Sequence, residues 1–256
     1  MMVALGSVLA LVSMGVASLG GPAGTAAPSS AASTAVTSPS PVQPALQVLT
    51  IGDSIMRGHG LASTQAWPFL VGEADGWSVT NDGCDGAGVL TPGAIEQCGG
   101  TDYAGIIVGA AALQPDIVII EGSSNDFGQD NSALEAATTS EVRSIRSEFP
   151  SAQIVGLSTL WGSTVPPAQL YQIDAQVKQA VEAVGGTYLD IGQPMEGHPE
   201  LMQAGDVHPN EAGQAVLATT IEAALAPVER AAIASERVAQ IRMARISKLV
   251  ELRVLM

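Results

Sequence analysis

The sequence predicts an α/β domain, a three-layer αβα sandwich built on a central parallel sheet of about five strands. Three observations carry this prediction. Continuous β-branched runs such as Val48 to Ile51 and Ile117 to Ile120 lack the polar alternation of a one-sided sheet and suit strands buried on both faces. Stretches of helical periodicity, roughly ten residues or longer, separate these runs and give right-handed crossovers enough length. The first run ends in a glycine and short polar residues, the kind of turn that forms the carboxyl edge where open α/β sheets bind ligands.

Taken in order, residues 1–27 read as a signal peptide or short N-terminal anchor. Val3 to Gly20 has the apolar, small-residue character of a signal core, without a preceding positive segment. Residues 28–45 are an Ala/Ser/Thr/Pro-rich linker too poor in large apolar groups to offset the entropy of ordering. The folded domain is expected over residues 46–226. Its first strand leads into Ser54. A helix begins at Trp67-Pro68 and ends near Asp75-Gly76, and Trp77 to Thr80 forms the second strand.

A small-residue helix from Tyr103 to Leu113 precedes the strand Asp116 to Ile120. Ser132 and Glu135 have capping-box spacing ahead of a helix whose Val142, Ile145 and Phe149 share one face, with Pro150 just past its end. Gln153 to Leu157 is the fourth strand. Leu170, Ile173, Val177, Val181 and Val184 mark the next helix, stopped by Gly185-Gly186, and Thr187 to Ile191 is the fifth strand. Asn210 caps a last core helix carrying Leu217, Ile221 and Leu225. Residues 227–256 are a basic extension that can be helical. Its apolar residues interleave with Arg237, Arg242 and Arg245, so no clean amphipathic face results. A solvated or poorly ordered tail is expected there, with a membrane-surface or partner helix as the alternative.

A formal net charge of -15 over 256 residues argues against nucleic acid as a partner, because phosphate binding needs clustered Lys and Arg. The two cysteines, Cys84 and Cys98, exclude a cysteine-only zinc site and leave one possible disulfide, which persists only in an oxidising compartment. A serine nucleophile needs a base and donors for a developing oxyanion. Four separated segments supply these residue types: Gly52-Asp53-Ser54, Asn81 to Gly86, Gly122-Ser123-Ser124-Asn125-Asp126, and Asp206-Val207-His208-Pro209-Asn210.

In that order the four segments resemble the motif blocks of the SGNH (GDSL-type) hydrolases, esterases and lipases with a flavodoxin-like fold. The resemblance spans Leu46 to Ala226. It implies Ser54 as nucleophile, His208 as general base, and Ser54, Gly86 and Asn125 as oxyanion donors, with no metal or organic cofactor. His59 stands too near Ser54 in sequence to serve as an independent base, and His198 lacks a following helix to cap. A Cys84 to Cys98 disulfide would staple the second block. Closing a loop of about 15 residues, it would contribute roughly 3 kcal/mol.

Two departures from the family pattern stand out. Ser123 replaces a usual glycine, a change expected to touch backbone conformation more than chemistry. The acid usually stands three residues before the histidine, where this chain has Gly205; Asp206 is only two before. In an extended segment that shift would aim the carboxylate away from the ring. Either the loop is kinked so that Asp206 serves, or a backbone carbonyl or Glu200 orients His208. Met56, Arg57, His59, Trp67 and Trp161 are candidates to line an acyl or sugar subsite, the tryptophans equally suited to plain packing.

The expected function is a secreted or cell-envelope serine esterase acting on small-molecule or glycan esters, short acyl chains and acetylated sugars favoured, with no membrane span in the mature domain. An acyltransferase using the same machinery, or a non-catalytic glycan-binding protein on a degenerate scaffold, are the competing readings. Oligomeric state is not legible.

Overall fold

The computed structural model describes residues 45–254, so the expected export signal and nearly all of the linker lie outside the described residues. Five strands, β1 (Gln47–Gly52), β2 (Ser78–Gly83), β3 (Ile117–Glu121), β4 (Gln153–Leu157) and β5 (Thr187–Leu189), form one parallel sheet in the order β2-β1-β3-β4-β5. The helices are α1 (Ser54–Arg57), α2 (Trp67–Asp75), α3 (Ile95–Cys98), α4 (Tyr103–Gly109), α5 (Asn131–Glu148), α6 (Ala168–Ala183) and α7 (Glu211–Val254).

Alternation along the central strands divides the interior into two layers. Leu49, Ile51, Val118, Ile120 and Ile154 pack with Ile106 and Ile107 of α4, Val142 and Ile145 of α5, and Ile173 and Val177 of α6. Their neighbours Val48, Ile117, Ile119, Val155 and Leu157 pack with Trp67 and Val71 of α2 and Leu217, Ile221 and Leu225 of α7. Successive side chains of a strand point to opposite faces, so an all-apolar strand must be covered twice. The three-layer αβα sandwich follows.

Element limits differ from expectation where local hydrogen bonding decides. β2 extends to Gly83 because Asn81 joins the ladder region, its Oδ1 accepting from Thr50 Oγ1 at 3.0 Å and its Nδ2 donating to the Met56 carbonyl at 3.0 Å. α5 starts at Asn131, not at a Ser132 capping box. Asp130 is the cap, its carboxylate accepting from the Ala133 N–H at 2.9 Å, while the Ser132 hydroxyl turns back to Asp130.

Among the described residues the basic extension is helical, one of the states expected for it, and exposed over residues 237–246: α7 runs unbroken through Pro227. Its buried face continues past the proline with Val228 and Ala232, and Glu229 accepts from Trp77 Nε1 at 3.2 Å. Those contacts offset the one helical hydrogen bond that proline removes. Among the described residues no helix is long and apolar enough to cross a membrane.

Glu141 on α5 is buried, and its Oε2 has no partner among the described residues. Burial, reinforced by Asp102 and Asp126, pushes its carboxyl up to about 9. The group therefore stays protonated in the folded protein at pH values where the unfolded chain ionises it. Its contribution to stability is complete below the ordinary glutamate value and lost as pH rises toward 9. Glu141→Gln should remove that dependence. Melting curves followed by circular dichroism between about pH 5 and about pH 9 should show a smaller loss in the variant than in the parent.

Candidate active site

The turn that carries Ser54 is built by the end of β1. A Cβ at Gly52 would lie 2.5 Å from Glu121 Oε1 and from Met56 Sδ, so only glycine allows this close passage. Asp53 caps α1, its carboxylate accepting from the Ile55 N–H at 2.9 Å. Ser54 is the first residue of that helix, and its N–H therefore has no intrahelical acceptor. Asp53 is buried, which raises its carboxyl despite the hydrogen bonds from Ile55 and Ser123.

His208 comes to Ser54 from the loop before α7. Its Nε2 lies 2.9 Å from Ser54 Oγ, and its Nδ1 lies 2.6 Å from Asp206 Oδ1. The tautomer protonated at Nδ1 satisfies both contacts, donating to Asp206 and accepting from the serine hydroxyl.

Asp206 reaches His208 despite its one-residue shift because the chain turns at Gly205. Gly205 has φ +72°, a left-handed conformation natural to glycine, and the Asp206 N–H donates to the Gln203 carbonyl at 3.1 Å. The Asp206 carboxylate also accepts from the Val207 N–H at 2.6 Å. The hydrogen bond with His208, aided by that from Val207, holds its carboxyl below the ordinary aspartate range although the residue is exposed. Glu200 does not orient His208: it accepts from His198 Nδ1 at 2.8 Å, at an exposed position.

Gly86 and Asn125 face the same cavity as Ser54. Gly86 adopts φ +78° in the segment after β2, which is stapled by a Cys84 to Cys98 disulfide with Cα atoms 6.1 Å apart. Asn125 lies in a short 3-10 turn after β3. Its Nδ2 donates to the Ala87 carbonyl at 3.0 Å and to Ser123 Oγ at 3.1 Å.

Ser123 was expected to touch backbone conformation more than chemistry, and its side chain also joins a hydrogen-bond network. Its fully buried hydroxyl lies 2.9 Å from Asp53 Oδ2 and 2.8 Å from the Ala87 carbonyl, and it accepts from both the N–H and Nδ2 of Asn125. One hydroxyl thus ties the turn that carries Ser54 to the asparagine. Asp126 adds a second tie, its carboxylate accepting from the Val89 N–H at 2.7 Å, the Leu90 N–H at 3.1 Å and the Thr91 hydroxyl at 2.8 Å.

The cavity holds about 550 Å³ and is lined by Ser54, His59, Gly86, Asn125, Trp161 and Val207 among others. Trp161 reaches it, its ring edge-on to Phe127 with centroids 5.9 Å apart and its Nε1 donating to Thr164 Oγ1 at 3.1 Å. Trp67 and Met56 do not: both are fully buried in the layer under α2 and α7. Arg57 pairs with Asp85 at 3.3 Å instead of facing substrate space.

His59, expected to line the subsite but not to act as a base, does line the cavity and also stacks on His208 with ring centroids 4.1 Å apart. Its one sequence signal was position, five residues past Ser54 and flanked by Gly58 and Gly60, both in left-handed conformations. His59, Asp206 and His208 each offer a ligand atom within 4.8 Å of the others. Both nitrogens of His208 are engaged by Ser54 and Asp206, so the arrangement is suited to moving a proton more than to coordinating an ion.

A parallel α/β sheet carrying this Ser, His and Asp constellation at its carboxyl edge has the architecture of a carboxylic ester hydrolase. Residues 50–216 match the GDSL-like Lipase/Acylhydrolase family, and the chain belongs to it. It is 31% identical over 196 residues to GDSL lipase Rv0518 of Mycobacterium tuberculosis, covering 68% of this chain and 79% of that protein. Among solved structures it resembles the psychrotrophic esterase EstA from Pseudoalteromonas sp., with TM-score 0.57 at 16% identity over 72% of this chain and 99% of that one. It also resembles a family two carbohydrate esterase from Clostridium thermocellum in complex with cellohexaose, with TM-score 0.55 at 16% identity over 72% of this chain and 65% of that one.

Ser123→Ala should leave Asp53 and Asn125 each one partner short in a buried network. With an unpaired buried polar group costing about 1–3 kcal/mol, ester turnover should fall about 10-fold or more. Steady-state kinetics on a chromogenic acetate ester measure this, with kcat expected to carry the loss.

Proposed function

We propose that the chain is an exported serine esterase that hydrolyses short-acyl or acetylated sugar esters through an acyl-enzyme. The observation that carries this reading is the relay from Ser54 to His208 to Asp206, at 2.9 and 2.6 Å, opening on a cavity of about 550 Å³. Ser54 Oγ attacks the acyl carbonyl as His208 Nε2 takes the hydroxyl proton. The resulting imidazolium returns that proton to the departing alcohol, and the serine is left acylated. Water, deprotonated by the same histidine, then attacks the acyl carbon and releases the acid and free Ser54.

The backbone N–H groups of Ser54 and Gly86 are the donors to the oxyanion, joined by the Nδ2 of Asn125 once it releases its bond to the Ala87 carbonyl or to Ser123 Oγ. The exposed Asp206 keeps His208 in the Nδ1-protonated tautomer. The cavity volume suits a short acyl group beside a sugar ring, and the Trp161 and Phe127 edge offers an apolar face for such a ring. The Cys84 to Cys98 disulfide, together with the apolar N-terminal run, supports export to an oxidising compartment.

Ser54→Ala should lower turnover of a chromogenic acetate ester by more than about 10³-fold and abolish labelling by a fluorophosphonate probe. Full turnover in that variant would remove the serine from the mechanism. Asp206→Ala should cost between about 10²- and 10⁴-fold in kcat, the upper figure applying if the histidine is left in the wrong tautomer. Near-parental rates would reassign the acid. In an acyl-length series, kcat/KM should decline from acetyl to long-chain esters.

A further inference from the structure

We propose that His59 is a positioning residue for ester hydrolysis: locked by Asp85, its ring lies against the face of His208 and holds the base in the plane joining Ser54 to Asp206. The inference rests on the site reading above, in which His208 is the base.

His208 needs such support. It stands on a loop whose Asp206 and Val207 are exposed, and its two ring hydrogen bonds lie at opposite edges of the imidazole. Edge contacts fix where the two nitrogens point but leave the ring free to tilt about the line between them. Water also competes for the Asp206 arm. A flat surface against the ring face removes the tilt, and His59 supplies one at 4.1 Å between centroids and 26° between planes.

His59 is itself held by its backbone and by one ring nitrogen. Its N–H donates to the Ser54 carbonyl at 2.9 Å, and its Nδ1 lies 2.7 Å from Asp85 Oδ2. Asp85 is fixed in turn by Gln97 Nε2 at 2.7 Å and Arg57 at 3.3 Å. Burial opposes ionisation of Asp85, but the hydrogen bonds from Gln97 and His59 and the Arg57 charge together outweigh it and keep the carboxyl below its ordinary range.

Gln203 joins the two histidine loops. Its Nε2 donates to the His59 carbonyl at 2.6 Å and its backbone N–H donates to the His208 carbonyl at 2.9 Å. A Cβ at Gly60 would lie 2.6 Å from Gln203 Oε1, so glycine there is what lets this clip close. The charged or titratable groups around the stacked pair are Asp85 and Arg57 on the His59 side and Asp206 and the buried Asp53 on the His208 side. No substrate contact is asked of His59.

The test is a double-mutant cycle on the full chain with a chromogenic acetate ester, using His59→Ala, His59→Phe, Asp206→Asn and the pairwise combinations, with Ser54→Ala as control. His59→Ala should lower kcat by about 10- to 100-fold, the scale of a misplaced catalytic group, with KM within about twofold. His59→Phe, which keeps a flat ring and drops the bond to Asp85, should recover to within about fivefold of the parent. The loss from Asp206→Asn should be at least about threefold larger in the His59→Ala background than with His59 present, because two supports of one ring are not independent.

A kcat within twofold of the parent for His59→Ala, a phenylalanine variant no better than alanine, or strictly additive losses with Asp206→Asn would each overturn the inference. If His59→Ala does not fold, the His59→Phe and Asp206→Asn pair still decides through recovery and coupling. Loss of turnover in Ser54→Ala with an unaffected His59→Ala would sink the His59 role alone. Retained turnover in Ser54→Ala would sink the site reading itself.

Discussion

Parallel pairing of β1 with β3 is the interaction on which the site depends. The register sets Val48 opposite Ile117 and Ile51 opposite Ile120, so the two strands end at the same level. Gly52-Asp53-Ser54 and Ser123-Ser124-Asn125 therefore leave the sheet side by side, although some seventy positions separate Asp53 from Ser123 in the chain, a separation of 70. β2, on the other flank of β1, delivers Cys84 to Gly86 to the same edge. Antiparallel strands would have sent one of these turns to the opposite end of the sheet.

Beneath that edge lies a layer of buried polar groups that couples the turns. Asp53 accepts from Ser123, Ser123 accepts from Asn125, and Glu121 accepts from the Asp53 N–H at 3.2 Å. Burial pushes the Glu121 carboxyl well up, with the neighbouring Asp53 adding to the effect, so the pair does not carry two buried negative charges. A network of this kind is costly to satisfy partially. Ser123 thus links the turn that carries Ser54 to Asn125 beneath the cavity.

How much of this was legible from sequence varied with the range of the interaction. Strands such as Ile117 to Glu121 and Gln153 to Leu157 announced themselves because burial on both faces leaves a continuous apolar run. The four motif segments were legible for another reason, the order in which their polar residues follow strand ends or precede a helix. The position of the Asp206 carboxylate was not, because it turns on the left-handed conformation of Gly205, which spacing alone does not reveal. His59 was hidden more deeply. Its partners Asp85, Gln203 and His208 stand 26 to 149 positions away, and nothing local to His59 distinguishes a stacked ring from a surface one. The extension was legible as a possible helix, but its interleaved basic and apolar residues did not reveal that Val228 and Ala232 pack on the domain just past Pro227. At Asp130 the competition between two local caps, not any long-range contact, moved the start of α5.

The disulfide has a consequence for the cavity wall. Cys84 and Cys98 close a segment that contains Asp85, the anchor of His59, and Gly86, and Gln97 just inside its far end grips Asp85 at both backbone and side chain. Opening the bond would restore to the unfolded chain the freedom of that loop and loosen the anchor and the donor together. Reduced chain would thus hold His59 and Gly86 less firmly than oxidised chain, so the geometry of that wall depends on a covalent link between residues 14 positions apart and not on the sheet alone.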